Sequence, residues 1–419
     1  MRKYILSGSV LFLISISLGF GQIVTDPMAV IVLNKCESCY IISAQGSVFS
    51  NPAINLPSSG YFIPLQFTSD KFYNSLTDNI KNEELFAQNY QSVFLFSSPL
   101  KSKNIDRHNR FSFYYRVNAG QQAYMTKDVF TLISKGNANF SGKNVLLNPF
   151  SFSSSVYQEL AFNYYSVKDL SSERKFGFGI GLSVLSGSNL NQITINKGSL
   201  FTSEIGDSIF AQVDASYLQS DQESVGLFAN TGFALNFQFL YQFENRGTLY
   251  ASIQDLGYMG WNSNTMHYQI DTSFSYTGFD IISQNPFTNV EGVELDSLLE
   301  KNTHISKGSH WLFLFPEIHL AYHIDQVFKN ANLNAGFVYK RTPYFLPRAY
   351  VNLNYHFGEH FYIQPGINLD HFGNLGLCFE LGLEIENSLQ FKLGTNHLEG
   401  LGLYGVNGQG VYTGLGVMF

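Results

Sequence analysis

From Val351 to Leu393 the chain alternates with a period of two, one run after another. Val351, Leu353, Tyr355 and Phe357 stand against Asn352, Asn354 and His356. Phe361, Ile363, Pro365, Ile367 and Leu369 oppose Tyr362, Gln364, Gly366, Asn368 and Asp370. Leu375, Leu377, Phe379, Leu381, Leu383 and Ile385 oppose Asn374, Gly376, Cys378, Glu380, Gly382 and Glu384, and Leu389, Phe391 and Leu393 follow against Gln390 and Lys392. A period of two sends successive side chains to opposite faces of a β-strand. Each run is about nine to twelve residues, enough to cross a bilayer when tilted. "GEH", "HFG" and "ENS" between the runs read as tight polar turns.

The centre of the chain repeats the pattern, with Phe176, Phe178, Ile180, Leu182 and Val184 against glycines and Ser183, then Phe233, Leu235, Phe237, Phe239, Tyr241 and Phe243. A soluble sandwich also alternates, so the residue types decide. One face is uniformly Phe, Leu, Ile and Tyr, and the other is Gly, Asn, Gln and carboxylates. Aromatics are 16 % of the chain and charged residues 14 %, against roughly a quarter charged in an ordinary globular domain. No stretch of 18 apolar residues follows the N-terminal region, so no membrane helix is predicted. These features predict an all-β fold, a transmembrane antiparallel β-barrel. Counting after Tyr61 gives about 12 to 16 strands, and about 14 is expected because such barrels have even numbers.

The first 21 residues are a separate matter. Arg2 and Lys3 precede an apolar run from Tyr4 to Leu18, which ends in Gly19-Phe20-Gly21. This predicts a secretory signal peptide cleaved before Gln22 and a location in the bacterial outer membrane. Cleavage removes two cations and takes the formal charge from −7 to −9. With no basic run either, nucleic acid is not an expected partner. Residues 22–60 lack a strand period and are expected to form a plug-like segment, luminal or periplasmic, with the barrel over 61–419. Cys36 and Cys39 in "CESC" form a local disulfide or stay as thiols; zinc would need two more ligands at suitable spacing.

Three stretches break the period. Phe72, Leu76 and Ile80 suit a short amphipathic helix, and the "TKDVFTLISKG" stretch has Thr126 as N-cap, Asp128 in the first turn and Gly136 as a stop. A third, from Asn285 to Lys301, reads as a polar, partly helical loop. Gly400, Gly402 and Gly405 spell a dinucleotide fingerprint without the βαβ unit it requires, and read as turn and lumen residues. On a strand Glu317, His319, His323 and Asp325 share one face and form a luminal polar stripe. Residues two apart lie about 7 Å apart, too far to share one ion unaided, so neither metal nor cofactor is expected. No nucleophile-elbow sequence occurs, and no enzyme activity is expected.

Asn51-Pro52-Ala53, Gly136-Asn137 in "KGNANF", the strand "YQELAFNYY" at 157–165 and "TLYASIQDLGYMGWNSN" at 248–264 carry a family likeness. They resemble a large Bacteroidota family of outer-membrane barrels of unknown function (domain of unknown function family 5723), distantly similar to FadL-like and PorV-like outer-membrane proteins. The last stretch holds an Asp-Leu-Gly-x-x-x-Trp motif, met by Asp255, Leu256, Gly257 and Trp261. The resemblance implies place and fold but no chemistry, with the Asn-Pro-Ala segment ahead of the first strand as part of a luminal plug. Trp261 is expected at the lipid–water interface. Gly414, Val417 and Phe419 resemble the terminal signal read by the barrel-assembly machinery. Outer-membrane lipid and that machinery are thus expected partners. The expected role is a FadL-like passive conduit for apolar or amphiphilic small molecules; the alternative is a PorV-like shuttle or anchor for secreted proteins. A cavity continuous with a gap in the wall would favour the first, and a packed lumen with long ordered loops the second.

Overall fold

The computed structural model describes residues 40–51, 83–101, 106–171, 173–221, 229–244, 247–277, 303–340, 346–370, 375–385, 389–398 and 409–418. Nineteen strands appear among them, and fourteen close into a ring. In order around the wall these are β1 (Ile41–Asn51), β2 (Glu83–Leu100), β3 (Arg107–Thr126), β5 (Phe150–Asp169), β6 (Lys175–Thr202), β8 (Thr231–Gln242) and β9 (Gly247–Trp261). The wall continues through β13 (Glu317–Phe328), β14 (Ala331–Lys340), β15 (Arg348–Phe357), β16 (Phe361–Leu369), β17 (Leu375–Ile385), β18 (Leu389–Thr395) and β19 (Gln409–Met418). β19 then returns to β1, from Ile41↔Met418 to Ser50↔Gln409. All these ladders are antiparallel, and closure leaves the sheet no edge. That matters in hydrocarbon, where each unpaired backbone group costs several kcal/mol. Among the described residues no helix is long and apolar enough to cross a membrane; the strands do so.

The alternation in sequence is the alternation of the wall. Leu381 points outward and is 48 % exposed, whereas Glu380 beside it faces inward and is 4 % exposed. Inside, tyrosines lie flat over glycines of the next strand: Tyr362 over Gly382 and Tyr412 over Gly394. One rim, here the near rim, carries Ile41, Met418 and short returns such as Phe328 to Ala331 and Phe357 to Phe361. The far rim carries the long excursions.

The remaining strands stand at or beyond that far rim. β6 leaves β8 at Ser186↔Thr231 and runs on with β7 (Ser208–Gln219); β7 pairs β10 (Met266–Thr277), which pairs β11 (Thr303–Lys307). β4 (Asn144–Leu146) adds to β6, and β12 (His310–Phe313) to β9. A helix, α1 (Lys127–Lys135), sits on the rim. The Thr126 hydroxyl accepts from the Val129 N–H at 3.2 Å and Gly136 stops it at φ 78°, as its sequence predicts. Val129 and Phe130 pack on Phe86, Ala123 and Met125.

The barrel does not begin after Tyr61. Its first strand is β1, inside the stretch assigned from sequence to the plug, and Asn51 ends that strand instead of preceding it. Ile42, Ala44, Gly46 and Val48 alternate with Ser43, Gln45 and Ser47, but the middle two are small and carry no large apolar group, which leaves the period faint. Backbone pairing with β19 and β2 runs the length of the strand, and Ile41 packs inside with Met418 and Tyr165. Pro52, Ala53, Cys36, Cys39, the signal stretch and residues 22–39 lie outside the described residues. So do the segments around Phe72–Ile80 and Asn285–Lys301, the glycines 400, 402 and 405, and Phe419.

Candidate functional site: a bulge, an ion network and a cavity

β9 changes which residues it turns inward. Thr248, Tyr250 and Ser252 are buried on the lumen side; past the middle, Asp255, Gly257, Met259 and Trp261 are. The switch is a β-bulge: pairing with β8 jumps from Phe237↔Ile253 to Leu235↔Leu256, so Gln254 and Asp255 together face Asn236. Asp255 sits in the left-handed region at φ 61°, which aspartate tolerates better than most residues. Its N–H donates to Asn236 Oδ1 at 3.0 Å. Gly257 lies so close to β8 that a β-carbon would stand 1.9 Å from the Phe233 carbonyl oxygen, so only glycine fits.

The bulge aims the Asp255 carboxylate into the lumen, where it pairs with Arg116 from β3. Arg116 Nε also donates to Glu159 Oε2 at 2.6 Å. Glu159 Oε1 accepts from Tyr114 at 2.8 Å and from Ser183 at 2.5 Å, and Asn236 Nδ2 donates to Ser183 Oγ at 2.9 Å. Four strands besides β9 thus meet in one buried polar network. On its near-rim side a void of about 10 Å³, about one water, remains among Val93, Leu95, Asn163 and Gln238. The side chains close this part of the lumen.

On the far-rim side lies a cavity of about 220 Å³. Its apolar wall is Leu190, Met259, Trp261 and Leu312 to Phe315; Gln88, Gln121, Gln192 and Ser155 supply a polar side. Beside the cavity, just past Phe313, the ladder along β9 is interrupted. β12 pairs β9 as far as Phe313↔Tyr258, and β13 resumes only at Glu317↔Gln254. Between them the Leu314 N–H donates to the Gly257 carbonyl at 2.9 Å, and Pro316 has no N–H to offer. This seam adjoins the bulge. Phe315, 39 % exposed, belongs to both cavity and seam.

Trp261 is not an interfacial anchor. It is 3 % exposed and packs inside with Leu185, Leu190, Ala234 and Met259. The bulge reverses the facing that a straight strand through Thr248 and Tyr250 would give it. Asp255 and Gly257 join Trp261 on the lumen side, while Leu256 points out. Gly136 and Asn137 are elsewhere, at the end of α1, where Asn137 Nδ2 donates to Thr202 Oγ1 at 3.4 Å. Asn51 is at the far end of β1.

The stripe on β13 divides. His319 is buried against Tyr350, 2.8 Å from its hydroxyl. His323 bonds Asn334 and lies 2.9 Å from Asp325, and Glu317 faces Lys340 across the ladder. Among the described residues no group of three His, Cys, Asp or Glu is placed to hold a metal ion. Gly414 and Val417 sit in the closing ladder opposite Gln45 and Ile42.

Arg116 and Glu159 escaped sequence reasoning, although a signal existed. From Phe111 to Thr126 Arg116 is the one charged residue of its strand, and a cation at that depth calls for a buried partner or a wet cavity. Spacing could not name that partner, since Asp255 is 139 residues away.

Fold and site together define a transmembrane antiparallel β-barrel of fourteen strands with a lumen closed by ion pairs and a cavity beside a seam. The chain belongs to the Family of unknown function (DUF5723), whose sequence pattern matches residues 48–396. No curated protein matches it. Among solved structures it is similar to the Pseudomonas putida toluene transporter TodX, with 8 % identity over 96 % of this chain and 94 % of that one, TM-score 0.44. A Pseudomonas aeruginosa FadL homologue matches at 9 % identity over 91 % and 90 %, TM-score 0.43. The Ralstonia pickettii toluene transporter TbuX matches at 8 % over 92 % and 90 %, TM-score 0.41.

Proposed function

We propose that this protein is a passive outer-membrane conduit for apolar or amphiphilic small molecules. The supporting observation is the cavity whose apolar wall, Phe313 to Phe315, is also the seam in the barrel. A solute entering from the far rim meets apolar side chains first and the Arg116 network beyond them. Straight passage would require an apolar molecule to displace buried ion pairs. The seam offers an exit into hydrocarbon, breaking few backbone bonds. The short returns and paired chain ends of the near rim suit the periplasmic side of such barrels. In this reading residues 1–21 are the cleaved export signal, and Gly414, Val417 and Phe419 guide assembly.

The test is uptake of an apolar fluorescent dye by liposomes carrying the purified barrel. Uptake above protein-free liposomes is expected. Liposomes no more permeable than controls would overturn the conduit. A second reading has its own support: β6, β7, β10 and β11 form an ordered sheet past the rim, and the middle of the lumen is closed. Those features suit a partner barrel for secreted proteins, the reading that impermeable liposomes would leave standing.

A further inference from the structure

We propose that Arg116 and Asp255 are positioning residues: their ion pair across the lumen holds the β9 bulge, and so decides which residues line the cavity and where the ladder beside it is interrupted. The consequence for transport rests on the conduit reading; the structural claim does not.

Side chains alternate strictly, so removing a one-residue bulge turns every residue beyond it to the other face. Without the bulge Leu256, Tyr258 and Gly260 would turn inward, and Gly257, Met259 and Trp261 outward. The cavity would lose Met259 and Trp261, and lipid would receive a buried indole. Nothing in the residues beyond Asp255 prevents this on hydrophobic grounds, because Leu256 and Tyr258 are as apolar as Met259 and Trp261. The parity must be held at the bulge itself.

Three contacts hold it there. Asn236 takes the Asp255 N–H, Gly257 permits the close approach to β8, and Arg116 takes the carboxylate. The first two are local to β8 and β9. Arg116 comes from β3, and Glu159 on β5 fixes its guanidinium from a second side. If the strand straightened, the Asp255 carboxylate would leave Arg116 and move toward lipid. The ion pair therefore opposes the parity reversal specifically, which a neutral contact at the same place would do only weakly. The seam depends on the same geometry, since the Leu314 N–H bonds the carbonyl of Gly257, two residues after the bulge.

The chain has two tryptophans, and Trp311 is exposed on the outside. In a W311F background Trp261 therefore reports its own facing. The protein is placed in bilayers whose acyl chains are brominated near the headgroup, and quenching of Trp261 is measured beside dye uptake. Native Arg116 should leave Trp261 shielded. R116M and D255V should expose it to quenching and alter uptake, while R116K, which keeps the charge, should show smaller changes. Should R116M fail to fold, D255N reports the same loss of charge with the backbone preference kept. A shielded Trp261 in both R116M and D255N would overturn the clamp. Impermeable native liposomes with a quenched R116M would instead overturn the conduit and leave the clamp standing.

Discussion

The indole of Trp261 lies on Gly187 of the neighbouring wall, so close that a β-carbon there would stand 2.6 Å from its ring. The glycine is the space the tryptophan occupies. Replacing Gly187 by leucine should drive the indole into the cavity and cost about 1–3 kcal/mol of stability as overpacking does. Dye uptake should fall while the folded, heat-modifiable band persists on gels. Unchanged uptake in a folded variant would mean that Trp261 does not bound the path.

Arginine placed at Leu381 or Phe237, on the outward face, should destabilise the barrel by about 2–4 kcal/mol near mid-bilayer. Gly382 next door fails for another reason: a β-carbon would fall 1.9 Å from Tyr362 Cε1, so even alanine should cost about 1–3 kcal/mol. Denaturant unfolding of the lipid-reconstituted protein distinguishes them, because adding Tyr362→Ala should relieve only the Gly382→Ala defect.

Deleting residues 22–39 should leave assembly intact, whereas extending the deletion to Ser47 removes most of β1 and with it the partner of β19. Protease-resistant, heat-modifiable product should appear for the first deletion and not the second. Equal yields would contradict closure through β1.

Beyond the far rim His267 of β10 meets His310 of β12 edge-on, ring centroids 5.3 Å apart. Burial, then the like charge of His267, holds His310 below the ordinary value of 6.5. A histidine depressed in the folded state binds protons more readily when its contact opens. Stability of this contact is therefore full above pH 6.5 and falls as pH drops through and below it. Hydrogen exchange of β10 and β12 amides should show more frequent opening at pH 5 than at pH 7.5, corrected for intrinsic rates. H267Q should remove only part of that difference, because burial of His310 is the larger cause and remains.

What the sequence by itself determined is the wall. Strict alternation with uncharged aromatic faces, as from Phe233 to Phe243 and Leu375 to Ile385, has few folded solutions other than a barrel in lipid, because each face must meet a different solvent. A count near fourteen followed from those runs together with the even parity of such barrels, although β1 lies before the point where counting began, and α1 followed from a cap, an acidic first turn and a glycine stop. Alternation is a local property, and it is silent where backbone pairing alone selects a strand. β1 shows this: Ala44 and Gly46 leave its outward period faint, yet it closes the ring. The site was hidden for the same reason. Asp255 and Trp261 stood out as a motif, but their facing depends on a bulge of one residue at a left-handed aspartate, and on an arginine brought near only when the ring closes. Only the tertiary structure could decide that parity, because the energy that sets it is an ion pair across the lumen between residues far apart in the chain.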